Sequence, residues 1–173
     1  MYTFNQHLHN YAVWTAARAA QRGFTTTENI KDAIEETDLR NLAEGKIPQV
    51  TTEESYDEFH IKTCEKLIAT FKRMNLKDDI LQKATFGRAA KIVAIYLKTA
   101  VVIRDKGQSQ LSKIIHPPID RILLTKLNKK HKQIKIENWT QLSKDEYYEL
   151  WNEIKALPIY EHGFWEIEDY WSV

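Results

Sequence analysis

Two residues have types and surroundings suited to covalent chemistry. Lys91 stands in the run Ala89-Ala90-Lys91-Ile92-Val93, inside the most apolar stretch of the chain. Apolar surroundings disfavour the charged form of an amine, and a neutral amine is a nucleophile that can form a Schiff base. The ordinary alternative is a lysine whose stem lies on the core while its ammonium reaches water. Asp120 follows Pro117-Pro118-Ile119 and precedes Arg121-Ile122-Leu123-Leu124. The two prolines force an extended approach. An aspartate that then heads a helix is a fixed N-cap, and the helix N-terminus favours its ionised form. A carboxylate held in this way suits proton movement, or stabilisation of a developing cation. Lys98 lies seven residues after Lys91, two turns on and near the same helical face.

Other chemistries have no sequence basis. The chain contains no GxxxxGKS phosphate loop, no GxGxxG, no GxSxG elbow and no HExxH. His7 and His9 are the one close histidine pair, so neither a metal nor a cofactor is expected. Cys64 is the single cysteine and reads as core; a reducing, cytoplasmic setting is expected. No apolar run reaches the roughly 18 residues of a membrane span, so no membrane partner is expected. Met1 to Asn10 lacks the basic and apolar regions of a secretory leader.

The elements that must position these residues read as helices. Gly and Pro together number nine in 173 residues, and no Asn-Gly or Asp-Gly hairpin separates alternating strands. Helices are expected over Asn5–Arg22 (stopped by Gly23), after a Thr25/Glu28 capping box, and over Thr52–Met74 after a Thr51/Glu54 box. A short turn is expected at Asp38–Glu44, and a short helix or turn at Lys77–Lys83. A long, nearly all-apolar helix spans Arg88–Ile103, and a helix of that kind belongs in the middle of a bundle. Asp105–Ser112 reads as a polar loop. Asp120 then opens a helix, and Ser143 with Glu146 opens another that runs to Lys155. The expectation is a compact all-α helical bundle, a single domain over residues 1–173.

Charge is unevenly distributed. Residues 62–135 carry 18 Lys and Arg against five Asp and Glu, while the segments before and after are acidic. Such a middle segment suits a polyanion, unless the flanks neutralise it in the fold. Three classes are therefore open: an enzyme acting on nucleic acid, a non-catalytic nucleic-acid-binding protein, and a protein-interaction module using the aromatic-acidic tail Phe164–Trp171.

The segment Gly87-Arg88-Ala89-Ala90-Lys91-Ile92-Val93-Ala94 resembles the hairpin-to-helix passage of the helix-hairpin-helix DNA glycosylase superfamily. Pro118-Ile119-Asp120-Arg121-Ile122-Leu123 resembles its aspartate motif. The nearest branch is the archaeal-type 8-oxoguanine DNA glycosylase. That branch also has a second lysine seven residues after the first, a proline-rich approach to the aspartate, and a connection long enough for the 29 residues between Lys91 and Asp120. The likeness covers Thr85 to Thr125; the hairpin is reduced to Phe86-Gly87, and Ile95 stands where an aromatic is usual. It implies a helix-hairpin-helix-like segment at 85–125 and a damaged or modified DNA duplex as partner. It also implies base excision through a lysine Schiff base, possible lyase action and a nucleoid-associated location, with Lys91 and Asp120 catalytic. Phosphate contacts are expected from Lys83, Gly87, Arg88, Lys98, Arg121, Lys126, Lys129, Lys130 and Lys132. Trp14, Asn10, Tyr11, His116, Trp165 and Trp171 form the pool for recognising a flipped base.

Overall fold

Small residues on one side of the first helix set the packing of the whole bundle. In the computed structural model, which describes residues 1–171, helix α1 spans Phe4–Ala20 and is capped by the Thr3 side chain. Ala12, Val13, Ala16, Ala17 and Ala20 are its buried apolar face. Short side chains let it pack closely on α6 (Phe86–Leu97). Between these two come α2 (Thr27–Glu35), α3 (Leu39–Ala43), α4 (Glu53–Arg73) and α5 (Asp78–Leu81). Helices α1, α3 and α4 all pack on α6. Nine of the twelve residues of α6 are buried, from Phe86 and Gly87 through Tyr96 and Leu97. The chain then runs through α7 (Gln110–Ile114), the proline-bearing segment 115–120, α8 (Arg121–Lys130), a tight turn at Trp139–Gln141, α9 (Lys144–Lys155) and a 3₁₀ turn at Phe164–Tyr170. The fold is all-α, with no strand among the described residues. No helix among them is long and apolar enough to cross a membrane.

Local differences from the expected elements have identifiable causes. Consecutive threonines offer adjacent caps, and the chain uses the second in two places. Thr26 accepts the Asn29 N–H, and Thr52 accepts the Ser55 N–H while the Ser55 hydroxyl returns to the Thr52 N–H. The long central helix does not continue as an α-helix to Ile103. It stays α-helical to Leu97 and widens into a π-helical segment over Lys98–Ile103. The Thr99 hydroxyl donates to the Ile95 carbonyl at 3.1 Å, and a run of β-branched residues follows; both loosen a regular helix. Helix α1 ends at Ala20, two residues before the expected end. Gly23 stands beyond it at φ +69°, which suits glycine.

A lysine–aspartate pair under a tryptophan

Burial of the rest of α6 leaves Arg88, Lys91 and Ile95, with Lys98 just beyond, as its one half-buried side. Within that side the Lys91 side chain is 11% exposed and Asp120 is 15% exposed. The Lys91 Nζ donates to Asp120 Oδ2 at 3.3 Å, across 29 residues of sequence. Asp120 is in extended backbone (φ −145°, ψ 177°), and its Oδ1 accepts the Leu123 N–H at 3.0 Å. One oxygen thus caps α8 while the other faces the amine. The Trp139 ring covers that amine, its centroid 4.4 Å from Nζ, a favourable cation–π placement.

Gly87 makes room for this cover. Its N–H donates to the Leu142 carbonyl at 3.0 Å, and a Cβ there would collide with the Trp139 carbonyl oxygen. Thr85, the N-cap of α6, donates its hydroxyl to the Thr140 carbonyl at 2.7 Å. The start of α6 therefore grips the segment carrying Trp139. This corrects the expectation for Gly87: it is buried and its N–H is taken, so it does not face a phosphate.

Below the pair, a buried polar and aromatic cluster anchors the approach to Asp120. His116, Pro117, Pro118 and Ile119 are all buried. The His116 Nδ1 lies 3.2 Å from the Tyr147 hydroxyl, and its Nε2 lies 2.9 Å from Asp57 Oδ1, though off the direction of a hydrogen bond. Its ring packs on Trp151 at 4.3 Å and on His60 at 4.7 Å between centroids. The His60 Nδ1 meets the Tyr148 hydroxyl at 2.9 Å, and its Nε2 is 3.7 Å from Cys64 Sγ. Burial pushes His116 down to about 3 and holds His60 well below the usual histidine range, so both rings are neutral. The same burial raises the Cys64 thiol and Asp57. His116 is a core residue supporting the 115–120 segment, which corrects its placement among base-contacting residues.

The remaining expected site residues divide by location. Lys98 pairs closely with Glu168 and lies 5.7 Å from the Trp171 ring centroid. It is thus a second lysine–carboxylate pair beside a tryptophan, further along the same side, rather than a phosphate contact. Arg88 lies over the Phe24 ring at 5.2 Å, and its Nε is buried without a hydrogen-bond partner. Lys83 pairs with Asp79 at 3.8 Å. Arg121 and Lys129 are exposed on α8, where Lys126 is half-buried, and Lys132 is exposed just beyond. Lys130 lies 4.6 Å from the Tyr170 ring centroid. Tyr11, Asn10 and Trp14 are exposed on the face of α1 turned away from α6, so the fold does not bring them to Lys91. Trp165 packs against Gly107 and Gly163, with its indole N–H buried and unpartnered.

Trp139 and Glu168 are the residues that sequence reasoning missed. Trp139 is a lone aromatic in a polar stretch; its only signal was that isolation. A cavity of about 490 Å³ lies elsewhere, between the end of α2 and α4, lined by Asp38, Val50, Phe59, Lys62 and Lys66 among others; neither Lys91 nor Asp120 borders it. No group of three or more His, Cys, Asp or Glu among the described residues could hold a metal. Cations of the basic middle segment that pair with acids of its flanks include Lys98 with Glu168 and Arg73 with Glu36. Comparison with family models, curated proteins and solved structures gives no match.

Proposed function

We propose that the chain is a DNA base-excision enzyme that uses Lys91 as nucleophile and Asp120 as its acid–base partner. The observation that supports this reading is the 3.3 Å approach of Lys91 Nζ to Asp120 Oδ2, on a near-buried side of the central helix, from elements 29 residues apart. Attack requires the free amine, and Asp120 is within reach to accept its proton. Lys91 Nζ then bonds to the sugar C1′ as the bond from C1′ to the base breaks, and the departing base takes up a proton. Opening of the sugar ring gives an imine on Lys91. Elimination from it would cut the strand, and water would release the enzyme. Glycosidic cleavage has oxocarbenium character, which a nearby carboxylate stabilises. The substrate nucleotide must be turned out of the duplex to reach the amine. Trp139 stands where it must either move aside or stack on what arrives. The exposed cations Arg121, Lys129 and Lys132 lie on α8 and just past it, the helix that Asp120 opens, and in this reading they meet phosphates.

The test is reductive trapping. Protein mixed with damaged duplexes, 8-oxoguanine first, and treated with borohydride forms a covalent protein–DNA adduct. Lys91→Gln abolishes that adduct, and Asp120→Asn slows base release while DNA binding persists. A second reading has its own support, because the pair is already closed and covered by Trp139, as in an ion pair that only clamps α8 to α6. Binding without an adduct across a panel of lesions establishes that non-catalytic reading.

A further inference from the structure

We propose that the outward face of α1 is a stacking ledge for the bases of a single-stranded nucleic acid. Phe4, His7, Tyr11, Trp14 and Arg18 follow one another at helical spacing and form one exposed stripe, opposite the alanine face that packs on α6. Phe4 is 71% exposed, Tyr11 54% and Trp14 48%. The Tyr11 and Trp14 rings are already stacked, with centroids 5.7 Å apart and an interplanar angle of 22°. Tyr2 meets His7 edge-on at 5.9 Å, and its hydroxyl lies 3.2 Å from His7 Nδ1. The Asn10 amide donates to the Tyr2 hydroxyl at 3.3 Å, and the Gln6 amide donates to Asn10 Oδ1 at 2.7 Å. Tyr2 with His7, and Tyr11 with Trp14, thus brace each other on a helix whose other face is locked into the core, which lowers the ordering cost of binding.

Charge selects the occupant. The first 27 residues contain no Asp or Glu, although the whole chain has 24. The cations on this stretch, Arg18 and Arg22, are exposed at the end of the aromatic stripe. Of the acids beside α1, Glu35 meets the His9 Nε2 at 2.7 Å and Glu44 is paired with Arg40 and Lys46. An interface with an apolar protein would favour aliphatic side chains. This stripe instead offers flat rings, most with polar edges, and cations without acids. That combination suits successive bases with their phosphates, since every base has a face to stack and the backbone is anionic. Tyr11 and Trp14 take neighbouring bases, and Arg18 meets the phosphate beside them. The ledge is independent of the Lys91 reading, because it faces away from α6.

The experiment measures fluorescence anisotropy of two labelled oligomers of equal length at low salt, an oligothymidylate and an abasic chain with the same phosphates. The wild-type chain binds the thymidylate more tightly than the abasic oligomer. Tyr11→Ala and Trp14→Ala each weaken thymidylate binding roughly tenfold, the size expected for loss of one stacking ring. Neither much alters binding of the abasic oligomer, while Arg18→Gln weakens both. Circular dichroism confirms that these surface variants keep their helix content. The proposal is overturned if the two oligomers bind equally, or if the ring variants bind thymidylate as wild type does. It is also overturned if sedimentation shows a wild-type dimer that Trp14→Ala converts to monomer, which makes a second copy the occupant. The measurement needs no adduct at Lys91, so its failure and a failure of the trapping experiment are read separately.

Discussion

Replacing Asp120 by asparagine and by alanine separates its two duties. Asparagine caps a helix about as well as aspartate, so Asp120→Asn keeps the Leu123 N–H satisfied and removes only the charge facing Lys91. Exposed ion pairs contribute about 0–1 kcal/mol, whereas breaking a fully buried pair costs about 3–5 kcal/mol. With side chains 11% and 15% exposed, this pair lies between those limits, and Asp120→Asn is expected to cost about 2 kcal/mol. Asp120→Ala also removes the cap, adding about 1 kcal/mol. Lys91→Met costs less, about 1 kcal/mol, because the carboxylate left behind keeps its Leu123 amide. In a chain of this size each kcal/mol lowers Tm by roughly 2–4 °C, so Asp120→Ala melts roughly 6–12 °C early. Urea unfolding of wild type, Lys91→Met, Asp120→Asn and the double variant gives the coupling energy directly, expected near 1–2 kcal/mol. Coupling below about 0.5 kcal/mol, together with Asp120→Asn as stable as wild type, refutes the pairing on which the site is built.

Gly87→Ala forces a methyl against the Trp139 carbonyl, a backbone group that cannot move without shifting the turn; the expected loss is about 2–3 kcal/mol, read by thermal melting. Acid stability tests the buried histidines. His116 is held at about 3 against an ordinary value of 6.5, so the unfolded chain binds its proton first. The stabilisation from keeping it neutral is complete above pH 6.5 and is lost progressively as pH falls toward 3, with His60 acting in the same direction. Tm measured from pH 7.5 down to 5 should fall, and His116→Gln should flatten that slope. Glu44 and Glu166, both lowered to about 2, act only below their ordinary 4.5; the exposed His162, raised by its hydrogen bond to Glu166, acts in this window in the opposite direction, but solvent screens that pair. A Tm constant between pH 7 and 5 contradicts neutral burial.

The parts of the site that were legible in the sequence are those set by local rules. Alanines and branched apolar residues around Lys91 made a buried helix, and two prolines before Asp120 made a cap, which the Leu123 N–H contact bears out. What was not legible depends on segments remote in sequence. The burial of His116 follows from Asp57 on α4 and Tyr147 on α9, and no pattern near residue 116 encodes either contact. Trp139 reaches Lys91 only because Gly87 and Thr85 bind the 140–142 backbone, so a glycine that looks like hairpin chemistry serves packing. Tyr11 and Trp14 have the spacing of a helical stripe, but spacing alone does not say which stripe faces inward; the alanines decide it.

The divided carboxylate of Asp120 makes the first turn of α8 a reporter on its own head group. A ligand that draws this side chain away from Lys91 must swing both oxygens, because they share one carbon, and the latch on the Leu123 amide opens with them. Deuterium uptake at that single amide therefore registers whether the acid is resting or engaged, without any probe attached to the protein.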